Sequence, residues 1–204
     1  GFSELVLTMD IDDAVRSHVE DIKWSSHNLL AIINDILDFS KIESGKMDII
    51  EDEYQPLQLI SDIENIITTR LEGKPVEFLV DLAPNLPCVL YGDSIRLKQV
   101  IINIANNAVK FTKRGAVILH MDYQYMAEGQ IMLNISVEDT GIGIKREDLG
   151  KLFQSFQQVD SRRNRNIEGT GLGLAISKQL LTLMHGDILV ESEYGKGSTF
   201  HIKL

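Results

Sequence analysis

Between Asp12 and Glu43 the chain contains neither proline nor glycine, and apolar residues return every seventh position. Val15, Ile22, Leu29 and Ile36 form one row, and Val19, Ser26, Ile33 and Ser40 fill its companion. Such spacing predicts one long helix with a coiled-coil seam, which Leu30, Ile32, Leu37 and Phe39 widen. Gly1 to Leu7 reads as the end of an earlier helix, Thr8 to Asp13 as a short polar connection, and Asp12 or Asp13 as the N-cap. Ser44-Gly45-Lys46 ends the long helix, with Gly45 as its stop. Residues 1–45 are therefore expected to be a helical hairpin with a truncated first helix, dimerising into a four-helix bundle. Residues 46–204 are expected to form a separate domain.

The second region mixes element types. A short strand is expected near Met47–Ile50, then a helix opened by Pro56 and running to about Leu71, then a strand at Val76–Leu82. Asp93 should cap a helix to about Lys113 that turns Leu97, Val100, Ile101, Ile104 and Val109 inward. Ala116–Tyr123 and Ile131–Glu138 alternate like antiparallel strands joined at Glu128-Gly129. A helix follows from Gly173 to Met184, and strands Asp187–Glu193 and Thr199–Leu204 close the chain. Strands in runs with helices between them predict a two-layer α/β sandwich, not a doubly wound parallel sheet.

Composition narrows the functional classes. Twenty Lys+Arg against 30 Asp+Glu give a net charge of -10, which argues against a general binder of nucleic acid or of anionic membranes. The lone Cys88 rules out an internal disulfide and points to a reducing, cytoplasmic compartment. No apolar run reaches the roughly 20 residues a bilayer span needs, so membrane contact by these residues is not expected.

Three glycine clusters lie in the last third: Asp139-Thr140-Gly141-Ile142-Gly143, Gly169-Thr170-Gly171-Leu172-Gly173 and Gly195-Lys196-Gly197-Ser198-Thr199. The second opens an apolar helix whose first-turn N–H groups would suit a phosphate. It is neither a Walker loop nor a dinucleotide fingerprint, because no Gly-Lys-Ser/Thr follows and no strand leads directly into it. The preceding Ser161-Arg162-Arg163-Asn164-Arg165-Asn166 is a basic patch in an acidic protein. On the Asp93 helix, Asn103, Asn107 and Lys110 share one face, with Asn106 beside them. Asn is a poor helix former, so this face calls for a reason. An amide oxygen suits Mg²⁺ together with phosphate oxygens and water, and Lys110 could neutralise a phosphate. Asp139, when ionised, only accepts hydrogen bonds, so it would take adenine's exocyclic amine and repel guanine's carbonyl.

In this order the pieces resemble the ATP-binding domain of hybrid-type sensor histidine kinases, within the superfamily that includes gyrase, MutL and heat-shock chaperones. Asp93 through Thr112 is similar to the N box, Asp139–Gly143 to the G1 box, Phe153-x-x-Phe156 to the F box and Gly169–Leu174 to the G2 box. Gly195-x-Gly197-Ser198-Thr199-Phe200 resembles the final glycine motif, and Asn34–Gly45 the second helix of the dimerisation domain. The resemblance implies a Bergerat-type fold: a mixed, largely antiparallel sheet against helices. It implies ATP and Mg²⁺ as ligands, Asn107 on the metal, Asn103 and Lys110 near the phosphates, and Asp139 on adenine beside Gly141 and Gly143. It further implies Phe156, Thr170, Leu172, Leu174 and Thr199 at the nucleotide site. A lid over about 158–168 would contact phosphate through Arg165, hinged by Gly169, Gly171 and Gly173.

The activity implied is transfer of the γ-phosphoryl of Mg-ATP to a histidine and onward to a receiver aspartate. A homodimer through the hairpin and a response-regulator receiver are the implied partners. The family's phosphoacceptor stands in a His-Glu-x-Arg-Thr-Pro motif that would fall about ten residues before Gly1. None of His18, His27, His120, His185 and His201 has that context, so these residues are not expected to autophosphorylate, and any membrane anchor of the parent would also lie outside them. Two alternatives stay open: an ATP hydrolase driving conformational change, disfavoured by Asn103 where hydrolases carry Glu, and an interaction module with a decayed nucleotide site.

Overall fold

In the computed structural model, which describes residues 1–71, 73–155 and 171–204 apart from the side chains of His27 and Glu128, Asp12 opens the long helix. Its carboxylate accepts the Ala14 N–H at 2.8 Å. Helix α1 spans Phe2–Leu7 and α2 spans Asp13–Glu43. The stop is a Schellman motif: Gly45 takes φ +65°, its N–H donates to the Ile42 carbonyl at 3.0 Å, and the Lys46 N–H donates to Lys41 at 2.9 Å. Arg16 reaches back from α2 to the Leu7 carbonyl at 3.1 Å and ties the two helices together. The predicted seam stays open, with Val15, Ile22, Leu29, Ile33 and Ile36 all exposed. No helix among the described residues is long and apolar enough to cross a membrane.

Gly1–Lys46 is one compact unit and Met47–Leu204 a second. The second contains β1 (Asp52–Tyr54), α3 (Pro56–Leu71), β2 (Val76–Leu82), β3 (Leu90–Gly92) and α4 (Ser94–Phe111). There follow β4 (Gly115–Tyr125), β5 (Ile131–Asp139), α5 (Arg146–Leu149), α6 (Gly173–Leu183), β6 (Asp187–Glu193) and β7 (Gly197–Lys203). The main sheet has the order β2-β4-β5-β7-β6, parallel between β2 and β4 and antiparallel elsewhere. Helices α3, α4 and α6 pack over it, giving the expected two-layer sandwich.

Strand alternation builds the core. Leu119, Val137 and Phe200 face each other across β4, β5 and β7, as do Met121, Ile135 and Ile202, and all six are buried. Onto this surface α4 lays Leu97, Val100, Ile101, Ile104 and Val109, and α3 adds Leu59, Ile63 and Ile67. Each such burial stabilises by about 1.5–3 kcal/mol. The same parity carries a carboxylate inward: Asp139 stands opposite Val117 and Ser198 on the core face, at the end of β5.

Met47–Ile50, expected as a strand, is extended but makes no ladder; the strand lies at Asp52–Tyr54. Asp93 explains the difference. One of its oxygens caps α4 through the Arg96 N–H at 2.9 Å, and the other accepts the Ile50 N–H at 2.9 Å. A side chain thus takes the bond a ladder would have used. Strand β3 and helix α5 were not foreseen, being three and four residues long.

Candidate functional site

The site grows from the end of β5. Asp139 is only 6% exposed, and burial pushes its carboxyl above the ordinary value. Three donors oppose that shift: the Gly141 N–H at 2.8 Å, and both the N–H and the hydroxyl of Ser198. The first and third glycine clusters are stitched together around this carboxylate. The Gly195 N–H donates to the Ile142 carbonyl at 2.8 Å, and the Ile144 N–H donates to Ser192 Oγ at 2.7 Å. Gly197, at φ +123°, cannot be replaced without strain, because a Cβ there would drive into the Asp139 carbonyl oxygen. Gly141 and Gly143 lie in the same turn, whose Ile142 N–H reaches the Phe111 carbonyl at the end of α4 at 3.3 Å.

The asparagine face of α4 meets the second glycine cluster. Asn103 donates through Nδ2 to Ser177 Oγ on α6 at 2.8 Å, and Ser177 is 2% exposed. A Cβ on Gly173 would collide with Asn103 Oδ1, so glycine here is what lets the two helices approach. Leu172 is buried and Leu174 half-buried, anchoring α6, whose N-cap position is taken by the apolar Leu172. One turn beyond Asn103, Asn107 is half-buried, and the Lys110 Nζ lies 5.2 Å from the Phe111 ring centroid. Asn106 Oδ1 and Thr112 Oγ1 are buried without a hydrogen-bond partner among the described residues.

Thus α4, the start of α6 and two glycine loops converge with Asp139. A family model described as the histidine kinase-, DNA gyrase B- and HSP90-like ATPases matches residues 92–204. The chain belongs to this family. It is 41% identical over 93% of its length to hybrid signal transduction histidine kinase B of Dictyostelium discoideum, of which it covers 10%. It is 38% identical over its full length to the signal transduction histidine-protein kinase BarA of Escherichia coli, covering 22% of that protein. The crystal structure of full-length ShkA in complex with AMPPNP superposes with a TM-score of 0.79 at 29% identity, over 99% of this chain and 41% of ShkA. The chain therefore spans less than a quarter of the two curated relatives.

Within this ATPase-family domain, Asn103, Asn107, Lys110, Asp139, Gly141, Gly143, Gly171, Leu172, Gly173 and Leu174 all lie on the converging elements. Thr199 does not share their surface. It pairs with Glu138 and Glu191 on the opposite face of the sheet, and Ser198 is the residue that meets Asp139. Phe156, Arg165, Gly169 and Thr170, with the expected lid and the Ser161–Asn166 patch, lie outside the described residues. Ser177, Ser192 and Ser198 were missed by sequence reasoning. Ser198 sits inside a glycine motif and was visible as a hydroxyl candidate; Ser177 and Ser192 carry no local signal.

The donor set also bears on a metal. Among the described residues no cluster of three or more His, Cys, Asp or Glu side chains could hold an ion. A half-buried amide such as Asn107 suits an ion that takes most of its ligands from phosphate and water, as Mg²⁺ does, and not Zn²⁺.

Proposed function

We propose that the chain is the ATP-binding catalytic part of a two-component histidine kinase, serving transfer of the γ-phosphoryl of Mg-ATP to a histidine and onward to a receiver aspartate. The observation that carries this reading is the buried Asp139 carboxylate, held by backbone and hydroxyl donors where two glycine loops meet the end of α4. A buried carboxylate with nothing to bind would be a net cost. Facing adenine, it accepts from the exocyclic amine, and Gly141 and Gly143 admit the ring. Phosphates would lie toward α6, since the N–H groups at the start of a helix favour an anion. Lys110 offers a positive charge one turn from Asn107. Asn103 acts on the phosphates through the placing of α6, since its amide is donated to Ser177. Asn107 would hold Mg²⁺, which supplies neutralisation of phosphate charge when bound. Catalysis of this type is mostly positioning and charge stabilisation.

None of the five histidines stands in the phosphoacceptor motif, so the acceptor is a histidine outside these residues. The exposed seam of α2 supports a homodimer through the hairpin, and a response-regulator receiver is the onward partner. Use of ATP and the exposed, unbridged Cys88 fit a cytoplasmic location. Calorimetry with Mg-ATP is the test. Asp139→Asn should weaken binding about 100-fold, equivalent to about 2.7 kcal/mol, and GTP should compete poorly in the unmutated chain. No binding, or equal binding by the variant, would show a decayed site, and steady phosphate release would favour the hydrolase.

A further inference from the structure

The geometry points to Ser192, on β6, as a positioning residue for Asp139: it passes the polarity of a first-loop N–H through Ser198 onto the carboxylate, which fixes how Asp139 reads the purine's exocyclic group. This rests on the ATP reading above. Ser192 lies outside all three glycine clusters, yet it contacts the third directly and Ile144, the residue that follows the first. The Ile144 N–H donates to its Oγ at 2.7 Å. Its own hydroxyl stands 2.8 Å from the Gly197 carbonyl oxygen and 3.0 Å from Ser198 Oγ, and its single proton serves these two acceptors. Ser198, directly across from it in the β6–β7 pairing, donates to Asp139. The donors therefore run in one direction, from Ile144 through Ser192 and Ser198 to the carboxylate, and hydrogen bonds in series strengthen one another.

This direction matters because Asp139 is buried and no cation among the described residues acts on it. Glu138, the adjacent charge, opposes its ionisation, while Val117 and Ser198 across the sheet and Phe111 at the end of α4 are uncharged. Donors must supply what a counter-ion would. Gly141 occupies Oδ1, so the donors from Ser198 decide how the remaining lone pairs are presented. Loss of the Ser192 hydroxyl would leave the glycine loops in place through the Gly195–Ile142 bond, but would free the Ser198 hydroxyl to turn away from Asp139.

The experiment compares ATP with purine riboside triphosphate, in which hydrogen replaces the amine, by calorimetry on the whole chain. Ser192→Ala should weaken ATP about fivefold, the worth of one hydrogen bond, and leave the amine-free analogue within about twofold. Ser192→Thr, which keeps the hydroxyl, should restore ATP preference, and the near-isosteric Ser192→Val should not; this pair decides the matter if alanine loosens the strand. Equal weakening of both nucleotides, or no change, would overturn the proposal, since a purely structural role makes no distinction between them. If the unmutated chain binds neither nucleotide, the ATP reading fails on its own. The carboxyl ¹³C titration of Asp139 then judges the relay: a midpoint raised by Ser192→Val relative to Ser192→Thr supports it, and identical midpoints refute it.

Discussion

Ile63 and Ile36 are the same side chain in opposite circumstances. Ile63, on α3, is 0% exposed beneath the sheet, whereas Ile36, on α2, is 52% exposed on an open seam. In the second region the apolar rows of α3, α4 and the main sheet close against one another. Residues 1–46 form two helices, the second capped at both ends, with no such core and with a row of exposed Val, Ile and Leu at seven-residue spacing. Local signals suffice to make a helix, but burying its apolar face needs another surface. The first region leaves an apolar row open, whereas the second buries the rows of its main helices.

The largest contrast should come from one substitution made in both places. Ile63→Ala should cost about 2–5 kcal/mol in urea unfolding, as a fully buried cavity does. Ile36→Ala in dilute solution should change stability by less than about 0.5 kcal/mol, as at an exposed position. Equal costs would mean that the seam is not open.

Next in size is Gly197→Ala, expected to destabilise the second region by about 1–3 kcal/mol through overpacking and backbone strain. Far-ultraviolet melting should show α2 unaffected at the same temperature, which sharpens the independence of the two units.

A third measurement addresses the seam. Ile33→Asp should shift sedimentation from dimer to monomer while Mg-ATP affinity stays within about twofold, a change of under about 0.4 kcal/mol. An unmutated chain that remains monomeric at high concentration would break the partner reading of α2.

The smallest effect concerns Asp139 itself. Its folded-state value is raised by burial, so the folded chain binds this proton more tightly than the unfolded one does. The associated stability is complete below the ordinary 3.8 and is lost as pH rises through the folded-state value. Asp139→Asn removes that loss. It should make the ligand-free chain slightly more stable at pH 7, with the advantage fading as pH falls toward 4, while nucleotide binding weakens about 100-fold. Urea midpoints across pH 3.5 to 8 would show the crossover.

Much of this was legible from residue order. The seam of α2 and the caps at Asp12, Gly45 and Asp93 could be read, because helix starts and stops are local events of one turn. So could β2, β4, β5 and the inward rows of α4, because burial on one face imposes a period of two or of 3.6. The asparagine face and the glycine loops announced themselves by contradicting propensity. Other parts were not legible. Strands β1 and β3 exist only by pairing with each other, across the whole of α3. Met47–Ile50 has strand-like residues but gives a backbone bond to Asp93, 43 positions away.

Thr199 and Ser198 mark the boundary best. Alternation along β7 states that they face opposite sides of the sheet, and no more. Which of the two reaches Asp139 depends on the register with β5, where Asp139 stands opposite Ser198. The sequence by itself determined the long helices and the strands of the main sheet, and which residues had chemistry to offer, since these follow from local sterics and hydrophobic period. Only the tertiary structure decided which hydroxyls and amides meet: Ser192 with Ser198, Asn103 with Ser177. The first pair meets only through the β6–β7 register and the second lies 74 positions apart, because hydrogen bonds act over about 3 Å in space without regard to separation along the backbone.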